Sequence, residues 1–121
     1  MPIVYLLRHA QSVANTKGIL AGQDDSVELS KDGFKQSKEL ANYLQTLKVS
    51  QVYCSPLTRC IQTITPFMKA NPKIEFQIEP ELIEMNYGDW SGKKLRTLSK
   101  DKRWKNVQNK PSTFTFPQGE S

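Results

Sequence analysis

A chain of 121 residues has the length of one domain, and 37% apolar with 24% charged residues is typical of a folded protein rather than a disordered one. The longest apolar run has five residues, too short for a membrane-spanning helix, and no signal region is recognisable, so we expect a cytoplasmic protein without a membrane partner. The net charge of +5 is uneven, because residues 93–110 hold eight of the 17 basic side chains.

The first element is the apolar run at residues 3–7, which predicts a short strand buried on both faces of a parallel sheet. Arg8 and His9 follow at its carboxyl end, where open α/β sheets bind their ligands. Arginine offers a fixed fork for anions, and a neutral imidazole is a nucleophile near neutral pH. An arginine beside a histidine therefore favours phosphoryl transfer. His9 is the only histidine in the chain, so it is the side chain that would accept the phosphoryl group.

Two helices are predicted next. Residues 11–19 form the first, and residues 22–26 then form a loop rich in Gly, Asp and Ser. Ser30 and Asp32 are suitable caps for the second helix. Its apolar positions recur at helical spacing and predict one buried face, made of Phe34, Leu40, Ala41, Leu44 and Leu47.

Two more strands flank a third helix. Residues 51–55 form a strand, Pro56 opens the helix as a first-turn proline, and Asn71 with Pro72 ends it. The helix repeats apolar residues at Leu57, Ile61, Ile64 and Met68. Alternation at Ile74, Phe76 and Ile78 then predicts a half-exposed edge strand. Strands alternating with helices predict an α/β fold with a parallel sheet and right-handed crossovers.

Charged residues follow all three predicted strands. Arg59 comes after the second strand and Glu84 after the third, and neighbouring parallel strands end at one edge of a sheet. Arg8, His9 and Arg59 could therefore bind a tetrahedral oxyanion there, with Glu84 as a general acid. Taken singly, these residues have ordinary interpretations: a packed histidine, a surface ion pair at Arg59 and a solvated glutamate.

Cys54 and Cys60, together with one histidine, are too few ligands for a structural zinc site. We interpret both as reduced packing residues. A reactive thiol is the alternative, and it requires a lowered pKa.

The basic residues 93–110 have two interpretations. They could draw anionic substrates or nucleic acid towards the site, or they could form a solvated helix face. No recognised nucleic-acid motif accompanies them, so no nucleic-acid partner is expected.

In order and spacing, these segments resemble the histidine phosphatase superfamily, which includes the cofactor-dependent phosphoglycerate mutases. The resemblance extends over nearly the whole chain. The matching segments are residues 7–12 (LRHAQS) with Asn15; Gly22, Leu29, Ser30 and Gly33; residues 55–59 (SPLTR) with Gln62 and Thr63; Glu84, Tyr87, Gly88, Asp89, Trp90 and Gly92; and residues 117–121 (PQGES).

The resemblance implies that His9 accepts the phosphoryl group and that Glu84 gives a proton to the leaving oxygen. It implies a phosphorylated small molecule as substrate, held without metal or cofactor, and a three-layer αβα fold with a mostly parallel sheet, as in phosphoglycerate mutases. The residues that it implies for substrate binding are Arg8, Ser12, Asn15, Gly22 and Arg59.

Two departures from the mutase branch, at Ala21 and Met85, favour a phosphatase over a mutase, and a further departure from the family pattern concerns Ala10. Ala10 stands where glycine is usual, which is tolerable if its φ is negative. In the mutase branch a threonine usually stands at the position of Ala21 and an arginine at that of Met85, so expected polar contacts to phosphoglycerate are missing.

Family members also place a second histidine in the phosphate pocket, on a strand after the segment matched by residues 117–121. We therefore expect residues 1–121 to be the amino-terminal part of a single phosphatase domain, with the carboxyl-terminal part missing. The alternatives are phosphoglycerate mutase-type transfer, or a non-catalytic anion-binding or interaction module whose residues 93–110 contact an acidic partner. A first strand without its partner would leave an open sheet edge and predicts self-association.

Overall fold

The computed structural model describes residues 3–84 and 92–100. Helices and strands alternate over most of this part of the chain, which confirms the predicted α/β class. The elements are α1 (Val13–Lys17), α2 (Lys31–Leu44), β1 (Gln51–Cys54), α3 (Thr58–Ala70), β2 (Glu75–Ile78), a 3₁₀ turn (Pro80–Leu82) and α4 (Leu95–Leu98).

Strands β1 and β2 pair in parallel, with Gln51 opposite Glu75 and Cys54 opposite Ile78. Helix α3 is the crossover between them. Because the strands are parallel, the chain leaves both at the same edge, where the Glu79 N–H donates to the Cys54 carbonyl at 2.8 Å. The two later strands are therefore confirmed, and they direct the start of α3 and the segment before Glu84 to one side of the molecule.

The predicted first strand is wrong for the part of the chain described. Residues 3–7 lie in no strand, and their side chains are exposed, with Leu6 91% and Val4 78% accessible. The reason is pairing: β1 and β2 bond to each other, and no strand within residues 3–84 or 92–100 runs beside this segment. A β-strand forms only when its backbone N–H and C=O groups bond to a neighbouring strand, and an apolar sequence alone does not provide that neighbour. Self-association through this segment stays a prediction.

The core lies where α2 and α3 pack against β1. Its buried apolar side chains are Ala41, Leu44, Cys54, Ile64 and Phe67. One predicted detail is wrong: Phe34 is 43% exposed, because the buried face of α2 runs through Gly33 and Ser37 instead. The half-exposed edge strand is confirmed at β2, where Phe76 is 39% and Ile78 38% accessible, and Phe76 lies beside Ile61, Ile64 and Met68 of α3.

The ends of α2 and α3 follow local capping rules. The Ser30 side chain caps α2 by accepting the Gly33 N–H at 3.0 Å, as the sequence predicts. Helix α3 begins at Thr58 after the N-cap Leu57, so the predicted first-turn role of Pro56 is wrong. The helix stops before Asn71 and Pro72, as predicted, because a proline disfavours the helical conformation of the residue before it, and Asn71 has φ −133° and ψ 62°.

Both cysteines are free thiols, as predicted. Cys54 is 7% exposed, and burial raises the pKa of its thiol to about 11, with Cys60 as a second, smaller cause. Burial likewise raises the pKa of Cys60. Protonated thiols are poor nucleophiles, so the packing interpretation is the one that the structure supports.

The described chain contains no helix long and apolar enough to cross a bilayer. The cytoplasmic location stays a prediction.

Gly33 allows a close contact between the first turn of α2 and the backbone after His9. A Cβ at this position would clash with the carbonyl group of Gln11, which also accepts the Ser30 N–H at 2.9 Å. We expect Gly33→Ala to lower the free energy of unfolding by about 1–3 kcal/mol, the usual cost of overpacking. Urea denaturation measures it.

Gly18→Ala is the matched control, because Gly18 has a positive φ of 65° but nothing near its Cβ position. It should cost only about 1–2 kcal/mol of left-handed backbone strain, with the contact to Gln11 intact. An unchanged or raised stability in Gly33→Ala would contradict the close contact.

Candidate active site

His9 lies half-buried at the start of the loop between the exposed residues 3–7 and α1. Its Nδ1 is 2.7 Å from the carbonyl oxygen of Ala10. An Nδ1–H donor at this distance leaves the lone pair on Nε2, which is the atom that could attack an electrophile. The ring is thus oriented by the backbone of the residue that follows it.

That backbone is in turn held by two helices. The Ala10 N–H donates to Thr63 Oγ1 of α3 at 3.0 Å, and the Gln11 N–H donates to Gln36 Oε1 of α2 at 2.9 Å. The Gln11 carbonyl accepts the Ser30 N–H. The backbone N–H and C=O groups of Ala10 and Gln11 all have hydrogen-bond partners, so the loop that carries His9 is anchored to α2 and α3.

Arg59 lies in the first turn of α3 and is 2% exposed, so its interpretation as a surface ion-pair partner is wrong. Its Nη2 donates to the Gly22 carbonyl at 2.6 Å and its Nη1 to the Asp24 carbonyl at 3.1 Å. Its Nε is buried and has no acceptor among the described residues. Buried donors without an acceptor are rare and costly, so Nε keeps a hydrogen-bonding capacity that the described residues leave unused.

The loop around Gly22 is fastened to α3 at a second point. Asp25 Oδ1 accepts the Thr58 N–H at 2.6 Å and so caps the helix from a distance in sequence. Ser26 stabilises the neighbouring Asp24 carboxylate, its hydroxyl more than its backbone N–H, and these bonds lower the pKa of Asp24. The structure therefore brings Gly22 and Arg59 together, while their contacts to a substrate stay predictions.

Ser12 and Asn15 form a capping box at the start of α1. Ser12 Oγ accepts the Asn15 N–H at 3.1 Å, and Asn15 Oδ1 accepts the Ser12 N–H at 2.9 Å. Ser12 is 1% exposed, so the structure gives it a helix-capping role. Substrate contacts by Ser12 and Asn15 stay predictions, and any contact from Asn15 would use its Nδ2, since Oδ1 is engaged.

Glu84 is half-buried and joins the Gly22 loop through Gln23, whose Nε2 donates to the Glu84 carbonyl at 3.0 Å. Its carboxylate also contributes to the raised pKa of Cys60, which places its charge near the start of α3. Arg8, in contrast, is exposed beside His9. His9, Arg59 and Glu84 thus lie on segments that are hydrogen-bonded to one another, whereas Arg8 lies at the surface.

The sequence did not predict the hydrogen bonds made in this region by four side chains, those of Gln23, Asp25, Gln62 and Thr63. Only Gln62 and Thr63 carried a signal, as part of the segment that resembles the family. Met85, residues 86–91 and residues 101–121 lie outside the described chain. In its described part the basic segment is exposed at Lys93, Lys94, Arg96 and Lys100, which supports a solvated surface.

Residues 3–84 and 92–100 contain no group of three or more His, Cys, Asp or Glu side chains that could hold a metal ion.

A family model of the histidine phosphatase superfamily (branch 1) matches residues 4–121. Phosphoserine phosphatase 1 of Hydrogenobacter thermophilus is 33% identical over 121 residues, covering 96% of this chain and 55% of the relative. The solved α-ribazole phosphatase of Shigella flexneri superposes with a TM-score of 0.78 at 27% identity, covering 95% of this chain and 57% of that one.

The solved phosphoglycerate mutase of Thermus thermophilus superposes with a TM-score of 0.75 at 29% identity, covering 94% of this chain and 60% of that one. These likenesses confirm the phosphoglycerate mutase-like fold class. The chain spans about half the length of the curated relatives that it matches.

Proposed function

Because the chain belongs to the histidine phosphatase superfamily, we propose that it hydrolyses small phosphomonoesters through a phosphohistidine formed on His9. The observation that carries the proposal is the buried Arg59, whose Nε lacks an acceptor in the described chain. Its helix also holds the backbone beside His9 through Thr63. A fixed cationic donor on the same helix that anchors the backbone after an oriented imidazole suits transfer of a phosphoryl group.

In the proposed first step, His9 Nε2 attacks phosphorus, and the bond from phosphorus to the leaving oxygen breaks as the new P–N bond forms. Glu84 gives its proton to that oxygen. Water then attacks the phosphohistidine, Glu84 takes a proton from it, and His9 and inorganic phosphate are released. Arg8 and Arg59 stabilise the negative charge on the transferring group.

The proposed substrate class rests on the relatives and on two positions of this chain. The proteins similar to it are named as phosphatases of phosphoserine and of α-ribazole phosphate, both small phosphomonoesters. Ala21 and Met85 lack the side chains that the mutase pattern carries at these places. Both observations favour hydrolysis over transfer to a phosphoglycerate acceptor.

Release of phosphate from p-nitrophenyl phosphate and from glycerol 2-phosphate by the purified chain tests the proposal and the role of Glu84. Nitrophenolate leaves almost without a proton, whereas an alkoxide needs one. We therefore expect Glu84→Gln to slow glycerol 2-phosphate hydrolysis about 10²–10⁴-fold, the usual contribution of a general acid. The loss on p-nitrophenyl phosphate should be much smaller.

Glu81→Gln is the matched control, because it removes one exposed carboxylate from the same segment and should change neither rate. Equal losses on the two substrates would exclude Glu84 as the acid. Absence of phosphate release from either substrate would contradict the proposed hydrolysis by this chain and leave the anion-binding alternative.

A further inference from the structure

Thr63 is a buried hydroxyl with two bonds to different parts of the site. It lies in the second turn of α3 and is 5% exposed. Its Oγ1 accepts the Ala10 N–H at 3.0 Å and donates to the Arg59 carbonyl at 2.8 Å. One oxygen thus joins the backbone after His9 to the helical turn that begins with Arg59.

The neighbouring residue makes a similar connection elsewhere. Gln62 Oε1 accepts the Leu29 N–H at 2.9 Å, and its Nε2 donates to Glu28 Oε1 at 3.1 Å. Adjacent side chains of α3 therefore hold two different segments. Of the two, Thr63 is the one bonded to the segment that carries His9.

We propose that Thr63 is a positioning residue that sets the orientation of the His9 ring relative to Arg59. His9 Nδ1 is bonded to the carbonyl of Ala10, and Thr63 holds the N–H of that same residue. Movement of Ala10 would therefore turn the ring. The inference rests on the proposed function, since it assigns a role within that phosphoryl transfer.

Three variants separate positioning from general packing. Thr63→Val keeps the shape and removes the hydroxyl, whereas Thr63→Ser keeps the hydroxyl and removes a methyl group. Thr65→Val is the matched control, because Thr65 Oγ1 donates to the Ile61 carbonyl at 2.6 Å on the same helix without a bond to the His9 segment.

The first measurement is steady-state hydrolysis of p-nitrophenyl phosphate. Misplacement of a reacting group by about 1 Å can cost about 10²-fold in rate. We expect Thr63→Val to lower kcat about 10- to 100-fold with little change in KM. Thr63→Ser and Thr65→Val should stay close to the original rate. A fall in kcat that Thr63→Ser fails to restore would contradict a role for the hydroxyl.

The second measurement does not depend on activity. His9 is the only histidine, so its ring nitrogens give a single set of NMR signals. Thr63→Val should move these signals away from the Nδ1–H tautomer, while Thr63→Ser and Thr65→Val leave them in place. A chain that releases no phosphate would refute the proposed function, and the signals would still decide the role of Thr63. Unchanged signals in Thr63→Val would overturn it.

A third measurement covers the case in which Thr63→Val does not fold. In the original chain the Ala10 amide should exchange with solvent more slowly than the amides of exposed residues 3–7. Exchange of Ala10 as fast as those amides would show that the bond to Thr63 does not persist, and would overturn the proposal.

Discussion

Replacing His9 with alanine should abolish any covalent phosphoenzyme and all turnover that depends on it. The reason is the composition of the chain: His9 is the only histidine, so no second imidazole can accept the phosphoryl group. Incubation with ³²P-labelled substrate, followed by rapid denaturation, measures the bound phosphate. In the original chain the label should be acid-labile and stable to alkali, as a phosphohistidine is.

The two thiols are the competing nucleophiles that this experiment must exclude. Burial raises the pKa of both Cys54 and Cys60, so both are protonated near neutral pH and cannot readily replace the imidazole. Cys60→Ser is the control and should keep its label. Phosphate that remains bound in His9→Ala would remove His9 from the mechanism, and loss of the label in Cys60→Ser would point to the thiol.

Elements whose cause is local were predictable from the sequence. Helix α2 follows from the Ser30 cap and its apolar spacing, and the end of α3 follows from Pro72. The segment at residues 3–7 was not predictable, because a strand depends on a second backbone at its side. Apolar residues at positions 3–7 favour burial, but the described chain contains no strand that pairs with this segment.

In the candidate site, too, local features were predictable from the sequence and contacts between distant residues were not. His9, Arg59 and Glu84 were predicted as site residues because charged and polar side chains that follow predicted strands have chemical meaning, and their roles stay predictions. The contacts that hold them were not predicted, since Thr63 meets Ala10 across 53 residues and Arg59 meets Gly22 across 37. Such partners depend on how α3 packs against the preceding loops. The spacing of apolar residues predicts which face of a helix is buried, but it does not predict which distant backbone carbonyl that face contacts.

Arg59 should be the residue whose loss harms folding and activity together. Its guanidinium satisfies two backbone carbonyls, and removing a partner from a buried polar group costs about 1–3 kcal/mol for each group left unpaired. We therefore expect Arg59→Ala to lower the free energy of unfolding by about 2–6 kcal/mol. In the fraction that remains folded, the barrier to phosphoryl transfer should rise by about 2.7–4 kcal/mol, the usual effect of losing one preorganised donor.

Arg8→Ala is the control that separates the two effects. Both arginines are proposed to bind the phosphoryl group, but Arg8 is exposed and Arg59 is buried against the Gly22 loop. Arg8→Ala should therefore reduce kcat/KM while the urea midpoint stays within error, whereas Arg59→Ala should reduce both. Arg59→Lys should recover little, because an ammonium cannot reproduce the fixed fork that meets two carbonyls. Full stability in Arg59→Ala would show that those two contacts do not hold the loop, and equal stability losses in both alanine variants would contradict the division of roles between a buried and an exposed arginine.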